Sequence, residues 1–409
     1  MGLNDTPRSE RTHIGIFGRR NAGKSSLLNA VTGQNLAIVS QIKGTTTDPV
    51  SKTMELLPLG PVVFIDTPGL DDGGELGTLR VKKSYQALNR TDIGLLVVDG
   101  DGLLHSGEQR FEETENPLLV EFEKREIPYL IVVNKEETLT DQERGEIIKI
   151  TARPEKTIFV SAKNRTNIKE LRERITQLKP RDQVTGKLVG DLLLPGDVAV
   201  LVVPIDSAAP KGRLILPQQQ VIRDCLEAGA IPVISRETEL KAALNALGKK
   251  PKLVITDSQA FEQVDQIVPK DISLTSFSIL LARLKGNLKA QVLGAKAIDG
   301  LKDNDKVLIA ESCTHHRQCG DIGTEKLPKW LRDYTKNNID LTFASGTEFP
   351  EDLSEYDLVI HCGGCMINER EMKYRLKCAE NAGVPMTNYG ISIAHMHGIL
   401  ERAIEVFHL

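Results

Sequence analysis

Residues 13–26 read HIGIFGRRNAGKSS and contain a complete G-x-x-x-x-G-K-S motif, from Gly18 to Ser25. The motif follows a short apolar run and precedes an apolar stretch with helical spacing, Leu27 to Val31. In such a loop the glycines let backbone N–H groups approach phosphate oxygens, Lys24 supplies positive charge, and the serine hydroxyl can bind Mg²⁺. A phosphate-binding strand–loop–helix is therefore predicted. The alternative is a glycine-rich turn that matches the motif by chance.

A second polar element, Asp66-Thr67-Pro68-Gly69, stands at the end of an apolar run. A carboxylate at this place can hold Mg²⁺ through water, and the Gly69 N–H can sense a γ-phosphate. Between the two elements lies Gly44-Thr45-Thr46-Thr47-Asp48, where a threonine could complete the magnesium shell and make the segment a switch. The alternatives for these two segments are an ordinary turn and a threonine-rich strand start.

A third element, Asn134-Lys135-Glu136-Glu137, follows an apolar run and stands where a base-reading Asn-Lys-x-Asp would be expected. Ser161-Ala162-Lys163 comes later in the chain and could close over the base. The fourth position of the base-reading element is Glu137 instead of aspartate, so its carboxylate sits one methylene further from the backbone. We predict a preference for guanine whose strictness depends on Glu137.

The first third of the chain alternates apolar runs with polar, helical stretches. This alternation predicts a mostly parallel sheet with right-handed crossovers and with ligands at the carboxyl ends of its strands. The predicted strands are His13 to Gly18, Val62 to Asp66, Ile93 to Asp99, Tyr129 to Asn134 and Thr157 to Ser161. The fold class is therefore α/β.

The pattern changes after a predicted helix at about Asn167 to Gln177. A second αβ segment follows, with strands at Val198 to Pro204 and Lys252 to Ile255, and its apolar strands suit either a subunit interface or plain core. A third segment begins near Ile272 and opens with Ser273 to Lys285, which we predict to be one amphipathic helix.

Composition narrows the class of protein. The 409 residues carry a formal net charge of −4, with 40% hydrophobic and 26% charged residues, which is typical of a soluble globular protein and not of a general nucleic-acid binder. No stretch approaches the roughly 18 apolar residues of a membrane span, and no apolar signal segment opens the sequence. A cytoplasmic protein without membrane or nucleic-acid partners is expected.

Five of the six cysteines lie in the last third of the chain, and the remaining one is Cys225. Cys313-Thr314-His315 follows one predicted strand, and His361-Cys362-Gly363-Gly364-Cys365 follows another. Thiolates at a C-x-x-C spacing, with glycine N–H groups near the sulfurs, suit an iron–sulfur cluster. A Cys₃His zinc site uses the same ligand types, and reactive or incidental cysteines are the third possibility.

The nucleotide elements, taken in order, resemble the translation-factor-related GTPases and among them the Era/TrmE group. In that group the residue at the position of Asn21 binds a monovalent cation, so the resemblance implies a potassium loop lined by Asn21, Ser40, Ile42 and Thr45, with Thr46 on magnesium. Leu70 stands where Ras-like proteins carry a water-orienting glutamine. A potassium ion in place of an arginine finger is the expected way to stabilise the transition state.

The combination of C-x-H, then H-C-x-x-C, behind such a domain resembles the [FeFe]-hydrogenase maturation GTPases over all parts of the chain. That resemblance implies a [4Fe–4S] cluster held by Cys313, Cys362 and Cys365, with His315 or His361 as a possible fourth ligand. It also implies a homodimer that serves as scaffold or carrier for the di-iron precursor, with the hydrogenase apoenzyme and two radical-SAM maturases as partners. The expected domains are a GTPase domain (1–178), a dimerisation domain (179–268) and a cluster-binding domain (269–409).

The residues expected to act on GTP fall into two overlapping sets. Contact with GTP or GDP is expected from Gly18, Asn21, Ala22, Gly23, Lys24, Ser25, Ser26, Asp66, Asn134, Lys135, Glu137, Ser161, Ala162 and Lys163. Catalytic roles are expected for Lys24, Thr46, Asp66 and Gly69, with Mg²⁺ on Ser25 and Thr46.

Two other readings compete with this one. An RNA- or ribosome-associated GTPase with a structural zinc domain would fit the GTPase relatives, although the acidic balance counts against it. A redox enzyme would explain the cysteines but leave GTP hydrolysis without a purpose.

Overall fold

A computed structural model describes residues 6–33, 50–70, 83–178, 188–205, 214–312, 321–346 and 348–408. The chain divides into two compact units, Met1–Val184 and Thr185–Leu409. Both are built from α/β layers, as the sequence predicted. Among the described helices, none is both long and apolar enough to cross a membrane.

The first unit holds a six-stranded sheet in the order β2-β3-β1-β4-β5-β6. Its strands are β1 (Thr12–Phe17), β2 (Val50–Leu56), β3 (Gly60–Asp66), β4 (Ile93–Asp99), β5 (Tyr129–Asn134) and β6 (Thr157–Phe159). Its helices are α1 (Lys24–Thr32), α2 (83–88), α3 (Gly100–Thr114), α4 (Asn116–Lys124), α5 (Asp141–Thr151) and α6 (Ile168–Gln177).

All pairings in this sheet are parallel except that of β2 with β3. The central strands β1, β4 and β5 are buried almost throughout, because helices cover both faces of the sheet and each face packs its own apolar cluster. The five strands predicted from the sequence are present within a few residues of their predicted ends. The antiparallel strand β2 was not predicted, because Val50–Leu56 alternates apolar and polar residues only weakly.

The second unit holds two parallel four-stranded sheets, ordered β10-β9-β7-β8 and β12-β11-β13-β14. The strands are β7 (Val198–Val202), β8 (Ile231–Ser235), β9 (Leu253–Thr256), β10 (Ser273–Ser276), β11 (Lys306–Glu311), β12 (Asp340–Ser345), β13 (Leu358–His361) and β14 (Met386–Asn388). The helices are α7 (Leu216–Glu227), α8 (Leu240–Ala246), α9 (Phe261–Ile267), α10 (Phe277–Lys285), α11 (Leu288–Lys296), α12 (Leu327–Thr335), α13 (Glu369–Ala382), α14 (Tyr389–Met396) and α15 (Leu400–Ile404).

The segment Ser273 to Lys285 differs from its predicted structure. Its first four residues form β10, the edge strand beside β9, and the helix starts only after Ser276, whose hydroxyl accepts the Ile279 N–H at 3.3 Å. The strand was missed because Ser-Leu-Thr-Ser carries little apolar pattern. The second sheet therefore continues past residue 268, where the sequence placed a domain boundary.

The two sheets of the second unit share one core. Val198 and Val254 of the β10-β9-β7-β8 sheet lie in the same buried cluster as Ile391 and Ala394 of α14. Helix α14 follows β14, the last strand of the other sheet. The two segments predicted as small αβ domains therefore pack against each other within one compact unit, and residues of one can support a site on the other.

Candidate functional sites

The Gly18–Ser25 loop joins β1 to α1 with an unusual backbone. Gly18, Asn21 and Gly23 all have positive φ, at 144°, 61° and 90°. A Cβ at Gly18 would lie 2.1 Å from the Val97 carbonyl oxygen, so only glycine fits there. Lys24 is buried at the start of α1, and its Nζ donates to the carbonyls of Gly18 at 2.9 Å and Arg19 at 2.8 Å. The lysine thus closes the loop that would surround a phosphate.

Ser25 and Asp66 meet where the sequence placed magnesium. The Ser25 hydroxyl donates to Asp66 Oδ2 at 2.6 Å, although the two residues come from different predicted elements. Burial raises the pKa of the Asp66 carboxyl, and Ser25, Lys24 and Lys52 partly offset that effect. A hard cation beside this hydroxyl and carboxylate would compensate the burial, so the pair suits Mg²⁺.

The Asp66–Gly69 turn is attached to the phosphate loop by main-chain hydrogen bonds. Thr67 N–H and its hydroxyl both donate to the Ile16 carbonyl, at 3.2 and 2.8 Å, and Leu70 N–H donates to the Gly18 carbonyl at 3.3 Å. A Cβ at Gly69 would lie 3.0 Å from the Arg20 nitrogen, so glycine permits this close approach. The Leu70 side chain packs on the apolar cluster under the sheet, where it has no group to orient water.

The base-reading residues are organised around Asn134. Its Nδ2 donates to the Ala22 carbonyl, and its Oδ1 accepts the Ala162 N–H, both at 3.0 Å. One buried side chain therefore ties the phosphate loop to the Ser161–Lys163 loop. Lys135 has a left-handed backbone, and its Nζ lies 2.5 Å from Asp99 Oδ2.

Glu137 is exposed on a short 3₁₀ turn beside this network, so its carboxylate is accessible to a ligand. Its neighbour Glu136 is buried instead and accepts the Asn167 Nδ2–H at 3.2 Å. Of the remaining predicted residues, Ser161 is buried and Lys163 is exposed. The geometry is compatible with base contact by Glu137.

The phosphate loop has a partner that the sequence did not indicate. Arg19 makes a two-point ion pair with the buried Glu115, which stands between α3 and α4, with Nη2 2.6 Å from Oε2. The guanidinium is therefore engaged away from the loop's glycines. No motif links these two residues, so only the fold reveals the pair.

The potassium-loop residues Ser40, Ile42 and Thr45, the magnesium residue Thr46, and Cys313 and His315 lie outside the described residues. Of the potassium set only Asn21 is described, and it occupies the left-handed turn of the phosphate loop.

The strands that precede the two cysteine motifs in the sequence are adjacent and parallel. β11 and β13 pair in register, with Ala310 opposite His361, so the two strands end at the same edge of the sheet. The Ser312 N–H donates to Cys362 Sγ at 3.1 Å, and Ser312 immediately precedes Cys313 in the sequence. N–H donors to sulfur are typical of thiolates that hold iron–sulfur clusters.

Cys362 and Cys365 are free and partly exposed thiols. Gly364 between them has φ 67°, which turns the chain tightly, and a Cβ there would lie 2.3 Å from Met372 Cε. Burial and the neighbouring Cys362 raise the pKa of Cys365 to about 11, and the Lys285 ammonium opposes that shift. Such a thiol would become a thiolate when a metal binds it.

His361 is a correction to the predicted ligand set. Its side chain is fully buried, Nδ1 donates to the Cys362 carbonyl at 2.6 Å, and Nε2 accepts from the Arg375 guanidinium at 3.0 Å. Burial, followed by the charge of Arg375, lowers the pKa of His361 to about 3. Both ring nitrogens are thus occupied within the fold, and His361 supports the loop instead of facing a metal.

Two further groups near Cys362 carry no motif and were not predicted. The Tyr389 hydroxyl donates to Glu311 Oε1 at 3.3 Å, and burial, Cys362 and Glu311 raise the pKa of Tyr389. A Cβ at Gly323 would lie 2.4 Å from both oxygens, so this glycine leaves them room. Tyr389 and Glu311 are therefore polar neighbours of the cysteine site.

Comparison with protein families divides the chain in three. Residues 13–135 match the family of 50S ribosome-binding GTPases. Residues 188–286 match the hydrogen maturase F dimerization domain, and residues 289–406 match the hydrogen maturase F tetramerization domain. The cysteine loop at 362–365 lies in the third region. This domain is named for tetramerization, whereas the sequence predicted only a homodimer.

Individual relatives match a smaller share of the chain. The tRNA modification GTPase MnmE of Porphyromonas gingivalis is 31% identical over 188 residues, which are 44% of this chain and 37% of that protein. The chain thus spans little more than a third of that relative. An uncharacterized protein of Methanocaldococcus jannaschii is 33% identical over 185 residues, covering 41% of this chain and 96% of the relative. A crystal structure of an Era variant from Aquifex aeolicus bound to GDP·AlF₄⁻ is 20% identical, with a TM-score of 0.33, covering 62% of this chain and 97% of Era.

Proposed function

The chain belongs to the HydF family of hydrogenase maturation GTPases, and from that premise we propose that it hydrolyses GTP and carries a [4Fe–4S] cluster on which the di-iron precursor of [FeFe]-hydrogenase is assembled or delivered. The observation that carries the proposal is the contact of Ser312 with Cys362 Sγ. It joins the end of β11, one residue before the C-x-H motif in the sequence, to the first cysteine of the H-C-x-x-C motif.

At the nucleotide site, Gly18–Ser25 would surround the phosphates and Ser25 with Asp66 would hold Mg²⁺. Asn134 and Glu137 would read guanine. Because Leu70 packs against the core and carries no polar group, water activation would need another charge, and K⁺ on Asn21, Ser40, Ile42 and Thr45 is the proposed source. The cation would supply positive charge to the developing negative charge between the phosphates.

At the cysteine site, Cys313, Cys362 and Cys365 would hold the cluster. The donor set fits the group, because two accessible thiols share a glycine turn and one already accepts a backbone N–H. With three thiolates for four irons, one iron would take an exchangeable ligand such as His315 or solvent, and a precursor could dock there without displacing a thiolate.

We also propose how the dimer forms. In the described part of the chain β8 is the edge strand of the second sheet, and its Ile231 and Ile234 are 52% and 49% exposed. An edge with two exposed isoleucines pairs readily with a second copy. Ile234→Lys should shift the protein towards monomer in sedimentation, whereas Val120→Lys, at an exposed apolar position of α4 in the GTPase region, should not.

The test of the whole proposal uses the purified full chain. Protein loaded by the two radical-SAM maturases should confer hydrogen evolution on the [FeFe]-hydrogenase apoenzyme, and the Cys362→Ser variant should fail to do so while folding normally. Activation by this variant at the wild-type level would contradict the proposal. Tight, specific RNA binding at physiological salt, with zinc in place of iron, would favour the alternative reading.

A further inference from the structure

Lys285 is a buried cation directly behind the cysteine loop. The residue is 5% exposed, and its Nζ donates to the carbonyls of Gly364 and Ile367, both at 2.9 Å. Gly364 immediately precedes Cys365 in the sequence, so the ammonium is bonded directly to the C-x-x-C turn. Burying an ammonium is costly unless strong partners compensate it, and the two carbonyls are partners of that kind.

The helix that carries Lys285 comes from the dimerization region. α10 ends at Lys285, within the 188–286 match, whereas the cysteine loop lies in the 289–406 match. Cys365 packs on the same apolar cluster as Leu280 and Leu281 of α10, and a Cβ at Gly363 would lie 3.4 Å from both Leu281 Cδ1 and Ser278 Oγ. Helix α10 therefore packs directly against the cysteine loop.

We infer that Lys285 is a positioning residue that holds the C-x-x-C turn and supplies positive charge to the cluster, so that it favours the reduced state. The inference rests on the proposed function and deepens it. Reduction adds one electron and one negative charge to a group already bound by three thiolates. A fixed cation within a poorly solvated wall stabilises the more negative state more strongly.

A purely structural lysine would behave differently. A lysine in the last turn of a helix commonly interacts with the carbonyls of its own helix. Here the described bonds run to carbonyls 79 and 82 residues further along the chain. A loop-holding role without a charge effect would be satisfied by any hydrogen-bond donor of similar length, and this difference provides the test.

The experiment compares Lys285→Gln, Lys285→Arg and Lys285→Met with wild type and with Lys296→Met, which changes the exposed lysine that ends α11. Each protein is reconstituted anaerobically, and iron, sulfide and the rate of iron loss to a chelator are measured. The cluster is then titrated with dithionite and redox mediators under an EPR readout.

Lys285→Gln keeps donors but no charge, so it should keep its iron while the ratio of reduced to oxidised cluster at a fixed potential falls about tenfold, or ~59 mV for one electron. Lys285→Arg should stay near wild type, Lys285→Met should also lose iron faster, and Lys296→Met should change nothing.

A wild-type midpoint in Lys285→Gln would overturn the charge role. If Lys285→Gln cannot be loaded, a shifted midpoint in the charge-preserving Lys285→Arg would overturn it. Absence of a cluster from wild type would instead refute the proposed function itself.

Discussion

The nucleotide site and the cysteine site occupy equivalent positions in their own sheets but differ in how their functional groups are held in place. Both lie at the carboxyl ends of parallel strands. In the nucleotide site the functional groups bond one another, as Lys24 does with the loop carbonyls and Ser25 with Asp66. In the cysteine site the thiols are supported from behind by His361 and Lys285. The first arrangement suits a ligand that exchanges, and the second suits a group that stays.

The strongest test of this comparison removes one site at a time. Lys24→Ala should reduce GTP turnover by at least about 10²-fold, because a main positive charge on the phosphates is lost, and should leave iron content unchanged. Cys365→Ser should do the reverse. Turnover and metal analysis on the same preparations decide the matter. Loss of iron in folded Lys24→Ala would mean that the two sites depend on each other.

The potassium proposal concerns the nucleotide site alone. Turnover should be roughly tenfold or more faster in K⁺ than in Na⁺, since the cation replaces an arginine finger. Asn21→Ala should abolish this difference, while Asn29→Ala in α1 should keep it. Equal rates in the two salts, or stimulation that survives Asn21→Ala, would refute the proposal.

His361→Ala tests the support behind the cysteine loop. The substitution removes the acceptor of the buried Arg375 Nη1, while Glu371 and the Gly346 carbonyl still bind the guanidinium, so it should lower the free energy of unfolding by about 2 kcal/mol. His395→Ala, which breaks a half-exposed pair with Asp299, should cost about 1 kcal/mol or less. Denaturant unfolding measures both. Cluster bound by His361→Ala should keep the wild-type EPR spectrum, and an altered spectrum would restore His361 as a ligand.

The smallest effect is expected at the base. Glu137→Asp should keep or improve the preference for GTP over ATP, with a change of about 1 kcal/mol in nucleotide binding, because the carboxylate remains and only its reach changes. Competition binding measures this preference. A marked loss of guanine selectivity would mean that Glu137 does not read the base.

Contiguous motifs explain what could be predicted from the sequence. The G-x-x-x-x-G-K-S run fixes its own strand, loop and helix, and the two cysteine motifs each follow an apolar run that becomes a strand. The α/β class and the family were therefore predictable. By contrast β10 was hidden in a polar tetrapeptide that runs directly into a helix, so the second sheet was cut short.

Supporting residues were not predictable for a different reason. Arg19 with Glu115, His361 with Arg375, and Lys285 with Gly364 are each joined by tertiary packing across long stretches of chain. Nothing in local spacing distinguishes Lys285 from the other lysines. His361 was predicted as a possible ligand because of its position in H-C-x-x-C, whereas in the structure both of its ring nitrogens are bonded within the fold.

The central claim is that one chain combines a GTPase site with a separately held [4Fe–4S] site. Its most direct test is the iron, acid-labile sulfide and zinc content of anaerobically purified wild-type and Lys24→Ala protein. We expect roughly four iron and four sulfide per chain in both proteins, with no stoichiometric zinc. One zinc per chain without sulfide, or iron that disappears in Lys24→Ala, would contradict it.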